Sequence, residues 1–98
     1  MRMALKMSIP VEKGNEAFKS GALQQTIQSL MENLKPEAAY FYPDENGQRS
    51  GFFVFDMEGS WQLPSILESL FENLDASVHV TPVMNGEDLE RGLKAASS

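Results

Sequence analysis

The chain has 98 residues, a length that fits one domain and leaves no room for two. It contains no cysteine, which excludes disulfides, thiolate catalysis, and zinc or iron–sulfur sites held by thiolates. Fourteen acidic and eight basic residues give a net charge of −6. Nucleic-acid binding depends on clustered Lys and Arg, so we expect no nucleic-acid partner.

Hydropathy gives no sign of a membrane partner. No segment approaches the roughly 18 consecutive apolar residues that span a bilayer. The apolar run at the N-terminus is interrupted by Lys6, whereas a secretory signal needs a longer uninterrupted core. We therefore expect a cytoplasmic protein with no membrane contact.

The first half of the chain reads as a strand followed by a helix. Apolar residues alternate from Met3 to Ile9, which predicts a half-buried strand that ends at Pro10. An amphipathic helix follows, with Asn15 as a candidate early cap and Gly21 as a point of weakness. Its apolar stripe consists of Leu23, Ile27, Leu30, Met31 and Leu34.

A β-hairpin is predicted next. Strands at 38–42 and 50–57 flank Asn46-Gly47, a dipeptide typical of two-residue hairpin loops. Counting outward from that loop pairs Asp44 with Arg49 and Tyr40 with Phe53. A longer loop would shift this register.

The second half repeats the pattern. A helix is predicted to start between Ser60 and Leu63, because Pro64 is tolerated only in a first turn. A strand at 77–83 follows. Asn85 then caps a short C-terminal helix, with Asp88 three residues on.

These elements predict an α+β domain over residues 1–98. The order β-α-β-β-α-β matches a split βαβ (ferredoxin-like) fold: a four-stranded antiparallel sheet, order 4-1-3-2, with two helices on one face. Both hairpin faces are apolar, whereas a sheet covered on one side should be polar on the other. We therefore expect a homodimer that pairs through the open sheet face. Folding of the tail helix over that face is the alternative.

Three segments carry a family resemblance: KPEAAYF (35–41), GQR (47–49) and TPVMNGEDL (81–89). They resemble a small bacterial family to which no activity is assigned. The order of elements and the doubly apolar sheet resemble the dimeric α/β-barrel superfamily, whose ferredoxin-like subunits pair through their sheets. That superfamily includes muconolactone isomerases, small monooxygenases and dye- or haem-processing enzymes. None of their catalytic motifs matches this chain, so the resemblance implies only the fold and the dimer.

The candidate ligand-binding residues are polar side chains predicted on the open face. Alternation places His79, the only histidine, beside Lys6, and hairpin counting adds Tyr40 and Arg49. With one histidine and no cysteine, we expect no metal site within a chain and no cofactor. Interface packing explains the same residues without a ligand, so no residue is assigned as catalytic.

Three functions follow from this pattern, and the sequence leaves open whether any of them is enzymatic. The first is a dimeric module that binds a small apolar or aromatic molecule, with or without cofactor-free chemistry. The second is a non-catalytic assembly or regulatory protein whose aromatic sheet face serves only self-association. The third, an RNA-binding sheet, is disfavoured because such sheets surround their aromatic residues with basic ones.

Overall fold

A computed structural model describes residues 1–97, in which four antiparallel strands form one sheet, order β2–β3–β1–β4. This is the predicted strand order read from the opposite edge, so the α+β class and the sheet are confirmed. The elements are β1 (Arg2–Ile9), α1 (Val11–Ser20), α2 (Ala22–Leu34), β2 (Ala38–Pro43), β3 (Arg49–Asp56), α3 (Leu63–Leu74), β4 (Ser77–Pro82) and α4 (Gly86–Ser97).

The connection from β1 to β2 contains two helices where the sequence predicted one. Gly21 separates them because it adopts the left-handed conformation, with φ of 87°. Helix α1 begins directly after Pro10, whose carbonyl accepts a 2.8 Å hydrogen bond from the Gly14 amide. Asn15 therefore lies inside α1 and is not a helix cap. The predicted order β-α-β-β-α-β plus a C-terminal helix therefore becomes β-α-α-β-β-α-β-α, and the ferredoxin-like order is not confirmed.

The starts of the later helices agree with the sequence. A single 3₁₀ turn, Ser60–Gln62, leads into α3, so Pro64 occupies the first turn, where its missing amide costs no hydrogen bond. Asn85 Oδ1 accepts a 2.8 Å bond from the Asp88 amide, and Asp88 Oδ2 accepts a 3.2 Å bond from the Asn85 amide. This reciprocal pair is the predicted cap of α4.

The core lies between one sheet face and helices α1, α2 and α3. Leu5 and Phe53, paired across β1 and β3, are fully buried, as are Leu70 and Leu74 of α3. Helix α2 contributes Leu30 and α1 contributes Ala17 to the same cluster. As predicted, the β1 residues of this face are Met3, Leu5, Met7 and Ile9, all buried.

The hairpin register differs from the predicted one by one residue. Tyr40 pairs with Phe52 instead of Phe53, and Pro43 instead of Asp44 pairs with Arg49. A type I′ two-residue loop requires positive φ at both central positions, but here only Gly47 adopts it, with φ of 71°. Asp44 and Gln48 instead close a three-residue loop through a 3.0 Å backbone hydrogen bond.

Helix α4 extends away from the sheet. Every residue from 86 to 97 is exposed except Asp88, which is half-buried. The apolar side chains of Leu89 and Leu93 remain 46% and 60% exposed. The alternative in which this helix folds over the open face is therefore wrong. None of the helices in residues 1–97 has the length and apolar character needed to cross a membrane.

Candidate functional site

Three of the four predicted ligand-binding residues lie together on the open face, the sheet face opposite the core. Tyr40 pairs with Phe52, Phe52 with Lys6, and Lys6 with His79, so one row crosses all four strands. Lys6 and His79 are exposed, and Tyr40 is 66% exposed. Lys6 and His79 are direct cross-strand neighbours, whereas Tyr40 lies on the outer strand at the other side.

Arg49 does not join them. It pairs with Ile9 on β1 and therefore belongs to the sheet face that carries the core. Because side chains alternate between faces, the one-residue register shift moved every β3 side chain to the opposite side from its predicted one. The predicted Asp44–Arg49 pair is consequently absent, and Arg49 contacts α1 instead.

Arg49 lines a cleft of about 620 Å³ between α1, α2 and the β2–β3 hairpin. We call it the hairpin cleft. Most of its lining residues are apolar. The full lining consists of twelve residues: Met7, Ile9, Val11, Asn15, Leu23, Ile27, Phe41, Tyr42, Pro43, Gly47, Arg49 and Ser50. The volume lies within the range of small-molecule sites, roughly 300–1,000 Å³.

The hairpin cleft exposes apolar side chains to solvent. Val11, the first residue of α1, is 48% exposed, and Phe41 of β2 is 53% exposed. The Phe41 ring is held edge-on against the buried Phe53 ring, with ring centres 5.5 Å apart. Part of the Phe41 ring is thus packed against the core, while the rest of the ring remains available for contact.

The polar side of the hairpin cleft is formed by Arg49 and α1. Arg49 Nη1 donates a 3.1 Å hydrogen bond to Asn15 Oδ1. The guanidinium lies against Gly14, where a Cβ atom would be only 2.7 Å from Nη1. Gly14 therefore leaves the space that this position of the guanidinium requires. No ion pair within 4.0 Å involves Arg49 in the described part of the chain.

A second polar cluster closes the loop between β2 and β3. Asp44 Oδ1 accepts hydrogen bonds from the Asn46 and Gln48 amides at 2.9 and 3.0 Å. Its Oδ2 accepts bonds from Ser50 and Ser8 hydroxyls at 2.9 and 3.2 Å. The bond from the Gln48 amide, helped by the other three, lowers the pKa of Asp44 below its ordinary value of 3.8. All four lone-pair directions of this carboxylate are occupied, so it is a structural group.

A smaller cleft of about 490 Å³ lies at the opposite end of the sheet, beside Arg2. Arg2 Nε donates a 2.6 Å bond to Glu37 Oε1, and Asp88 lies 3.7 Å from Arg2 Nη1. The hydrogen bond to Glu37 raises the pKa of Arg2. Each charged group that lines this cleft already takes part in an ion pair, so we do not place a ligand there.

Sequence reasoning missed the α1 side of the hairpin cleft. Pro10 was treated only as the end of a strand, although Pro is common immediately before or at the start of a helix. A helix predicted to start at Val11 would have placed Val11, Gly14 and Asn15 on the same helix, directly after the first strand. Within residues 1–97, no three side chains of metal-ligating type are grouped closely enough to hold an ion.

Comparison with known proteins does not extend this description: the chain matches no protein-family model, and no curated protein has a significantly similar sequence.

Proposed function

We propose that this domain binds a small apolar or aromatic molecule in the hairpin cleft. The observation that carries the proposal is the apolar lining left open to solvent, since Val11 and Phe41 are each about half exposed beside the half-buried Leu23 and Ile27. Concave apolar surface with a few polar groups is the usual form of a ligand site. A ligand there would remove this surface from water, at roughly 25 cal/mol per Å².

The proposed activity is binding and includes no reaction. The residues lining the hairpin cleft include no carboxylate, imidazole, amine or thiol. Tyr42 and Ser50 are the hydroxyl groups of the lining, and no imidazole, carboxylate or amine stands beside them to activate either as a nucleophile. The proposal keeps the ligand class expected from the sequence but moves the site from the open face to the helix side of the sheet.

Blocking the hairpin cleft tests this proposal. Titration calorimetry would measure binding of 2-naphthoate and of neutral 2-naphthamide to the wild-type chain and to Val11→Trp. A Trp side chain at the first residue of α1 fills the opening without disturbing the core, so we expect affinity to fall at least about tenfold. Phe18→Trp on α1 is the matched control, because Phe18 is 56% exposed against 48% for Val11 and does not line the cleft. Equal binding by both variants, or no binding by the wild type, would refute the proposal.

A second function, self-association, is favoured by the open face. Tyr40 is 66% exposed there, and its neighbours Phe52 and Val54 are only half-buried. We propose that a second copy of the chain covers this face, as in the dimeric α/β-barrel proteins with ferredoxin-like subunits that the sequence resembles. On this proposal the chain belongs with the small bacterial family that segments 35–41, 47–49 and 81–89 resemble, and Lys6 and His79 lie in the interface.

The size of the open face indicates how the second copy would be held. The open face has only four strands of six to eight residues, and each partner in a standard interface buries roughly 800 Å² of accessible surface, so neighbouring apolar surface would add to the contact. Helix α4 offers the additional apolar side chains of Leu89 and Leu93. We therefore propose that α4 packs against the partner copy and completes the interface.

A further inference from the structure

We propose that the ligand of the hairpin cleft is an apolar carboxylic acid whose carboxylate is received by the Arg49 guanidinium. This inference rests on the proposed function and specifies the class of molecule bound. Arg49 is the one cation among the residues that line the cleft. Its planar group presents five N–H donors, and Asn15 Oδ1 is the side-chain acceptor that it already contacts. The remaining donors match the two oxygens of a carboxylate.

Within residues 1–97, no carboxylate forms an ion pair with the Arg49 guanidinium at 4.0 Å or less. Glu12 and Glu16, the acidic residues of α1, make no ion pair with it. Asp44, the acid predicted to pair with Arg49, is occupied by four hydrogen bonds on the other side of the sheet. A guanidinium beside apolar walls is partly desolvated, which strengthens its attraction for an anion compared with a fully hydrated surface arginine.

The position of Arg49 is held by α1. Asn15 fixes one edge of the guanidinium, and Gly14 supplies the space beneath it, since a Cβ there would collide with Nη1 at 2.7 Å. Glycine inside a helix is less favourable than alanine, because it loses more conformational freedom on folding. Here the missing side chain has a geometric consequence, because it lets the guanidinium lie against the helix backbone at the polar end of the cleft.

The charge balance selects a singly charged anion. A phosphate monoester carries about −1.5 to −2 charge at neutral pH and would need more than one cation. The domain as a whole carries −6 and repels anions in general. A preference for carboxylates must therefore come from the local contact with Arg49.

Matched ligands test the inference. Calorimetry would compare 2-naphthoate, its neutral isostere 2-naphthamide and 2-naphthyl phosphate on the wild-type chain. We expect 2-naphthoate to bind at least about tenfold more tightly than the amide, the loss typical of one charge-assisted contact. In Arg49→Met that ratio should fall to about one. Arg91→Met, which removes an exposed arginine on α4, should leave it unchanged.

Gly14→Ala provides a variant in which Arg49 remains and the helix is not weakened. The added Cβ must displace the guanidinium, a flexible group, while alanine favours the helix. We expect the carboxylate preference to fall several-fold without a lower melting temperature. This result would show that the position of the guanidinium matters as well as its charge, and it remains informative if Arg49→Met does not fold.

The outcomes separate this inference from the proposed function. Equal affinity for 2-naphthoate and 2-naphthamide in the wild type would overturn the inference and leave ligand binding in the cleft intact. Tighter binding of 2-naphthyl phosphate, or a carboxylate preference that survives Arg49→Met, would also overturn it. Failure of all three probes to bind would refute the proposed function and the inference together.

Discussion

The Asp44 carboxylate organises the loop between β2 and β3. Two backbone amides and two serine hydroxyls converge on it, and one of the hydroxyls comes from Ser8 on β1. The carboxylate thereby ties the loop to a strand that is not adjacent to it in sequence. Because Arg49 follows this loop directly, the geometry of the loop determines the face on which Arg49 emerges.

Acid should weaken this loop. The hydrogen bonds lower the pKa of Asp44, so the folded state binds its proton less tightly than the unfolded chain does. The resulting stabilisation is present above the ordinary pKa of 3.8 and is lost as pH falls from there through the lower folded value. The free energy of unfolding should be measured with urea from neutral pH to below pH 3.8. It should fall less with acid in Asp44→Asn than in the wild type.

Glu45→Gln is the control for this experiment, because Glu45 is an exposed acid in the same loop that takes no part in these hydrogen bonds. It should retain the acid dependence of the wild type. An unchanged dependence in Asp44→Asn would show that these hydrogen bonds do not control the pKa of Asp44.

At the scale of elements, the break between α1 and α2 depends on a single residue. Gly21 has φ of 87°, a conformation that costs a residue with a Cβ roughly 1–2 kcal/mol. Gly21→Ala should therefore lower the free energy of unfolding by about 1 kcal/mol, or the melting temperature by about 4–8 °C for a domain of this size.

Gly92→Ala is the matched comparison for Gly21→Ala. Gly92 lies within α4, has no positive φ, and has open space where a Cβ would be placed. Alanine should favour the helix there, so the melting temperature should not fall. Similar losses in both variants would contradict the role assigned to the conformation of Gly21.

Local patterns in the sequence predicted the elements better than their connections. The alternation in β1 and the cap at Asn85 depend on neighbouring residues alone, and both predictions were confirmed. The hairpin register failed because the loop closes through the Asp44 side chain and one residue outside the Asn46-Gly47 pair. Asp before such a loop is itself a local signal for side-chain closure, but the segment 44–48 is compatible with both loop lengths, and the longer one moves Arg49 from the open face to the hairpin cleft.

At the scale of the whole molecule, the open face and α4 both expose apolar side chains. If a second copy covers them, sedimentation at micromolar concentration should give about twice the chain mass of 10.9 kDa. Tyr40→Asp should shift the protein toward monomer, because it places an unpaired charge in the interface. Phe53 is fully buried on the core side, so substituting it would test folding instead of association.

Phe18→Asp controls for a general effect of added charge. Phe18 lies on α1 and is 56% exposed, close to the 66% of Tyr40, but it is not on the open face. It should leave the dimer intact. If the wild-type protein sediments as a monomer at high concentration, the proposed pairing of the sheets is contradicted.

The location of a bound molecule tests the central claim most directly. Intermolecular NOEs should be recorded between the chain and whichever of 2-naphthoate and 2-naphthamide binds more tightly. Binding in the hairpin cleft predicts NOEs from the naphthalene protons to the methyl groups of Leu23 and Ile27 and to the Phe41 ring. NOEs to the Val54 methyl groups and the Tyr40 ring would place the ligand on the open face and contradict the account.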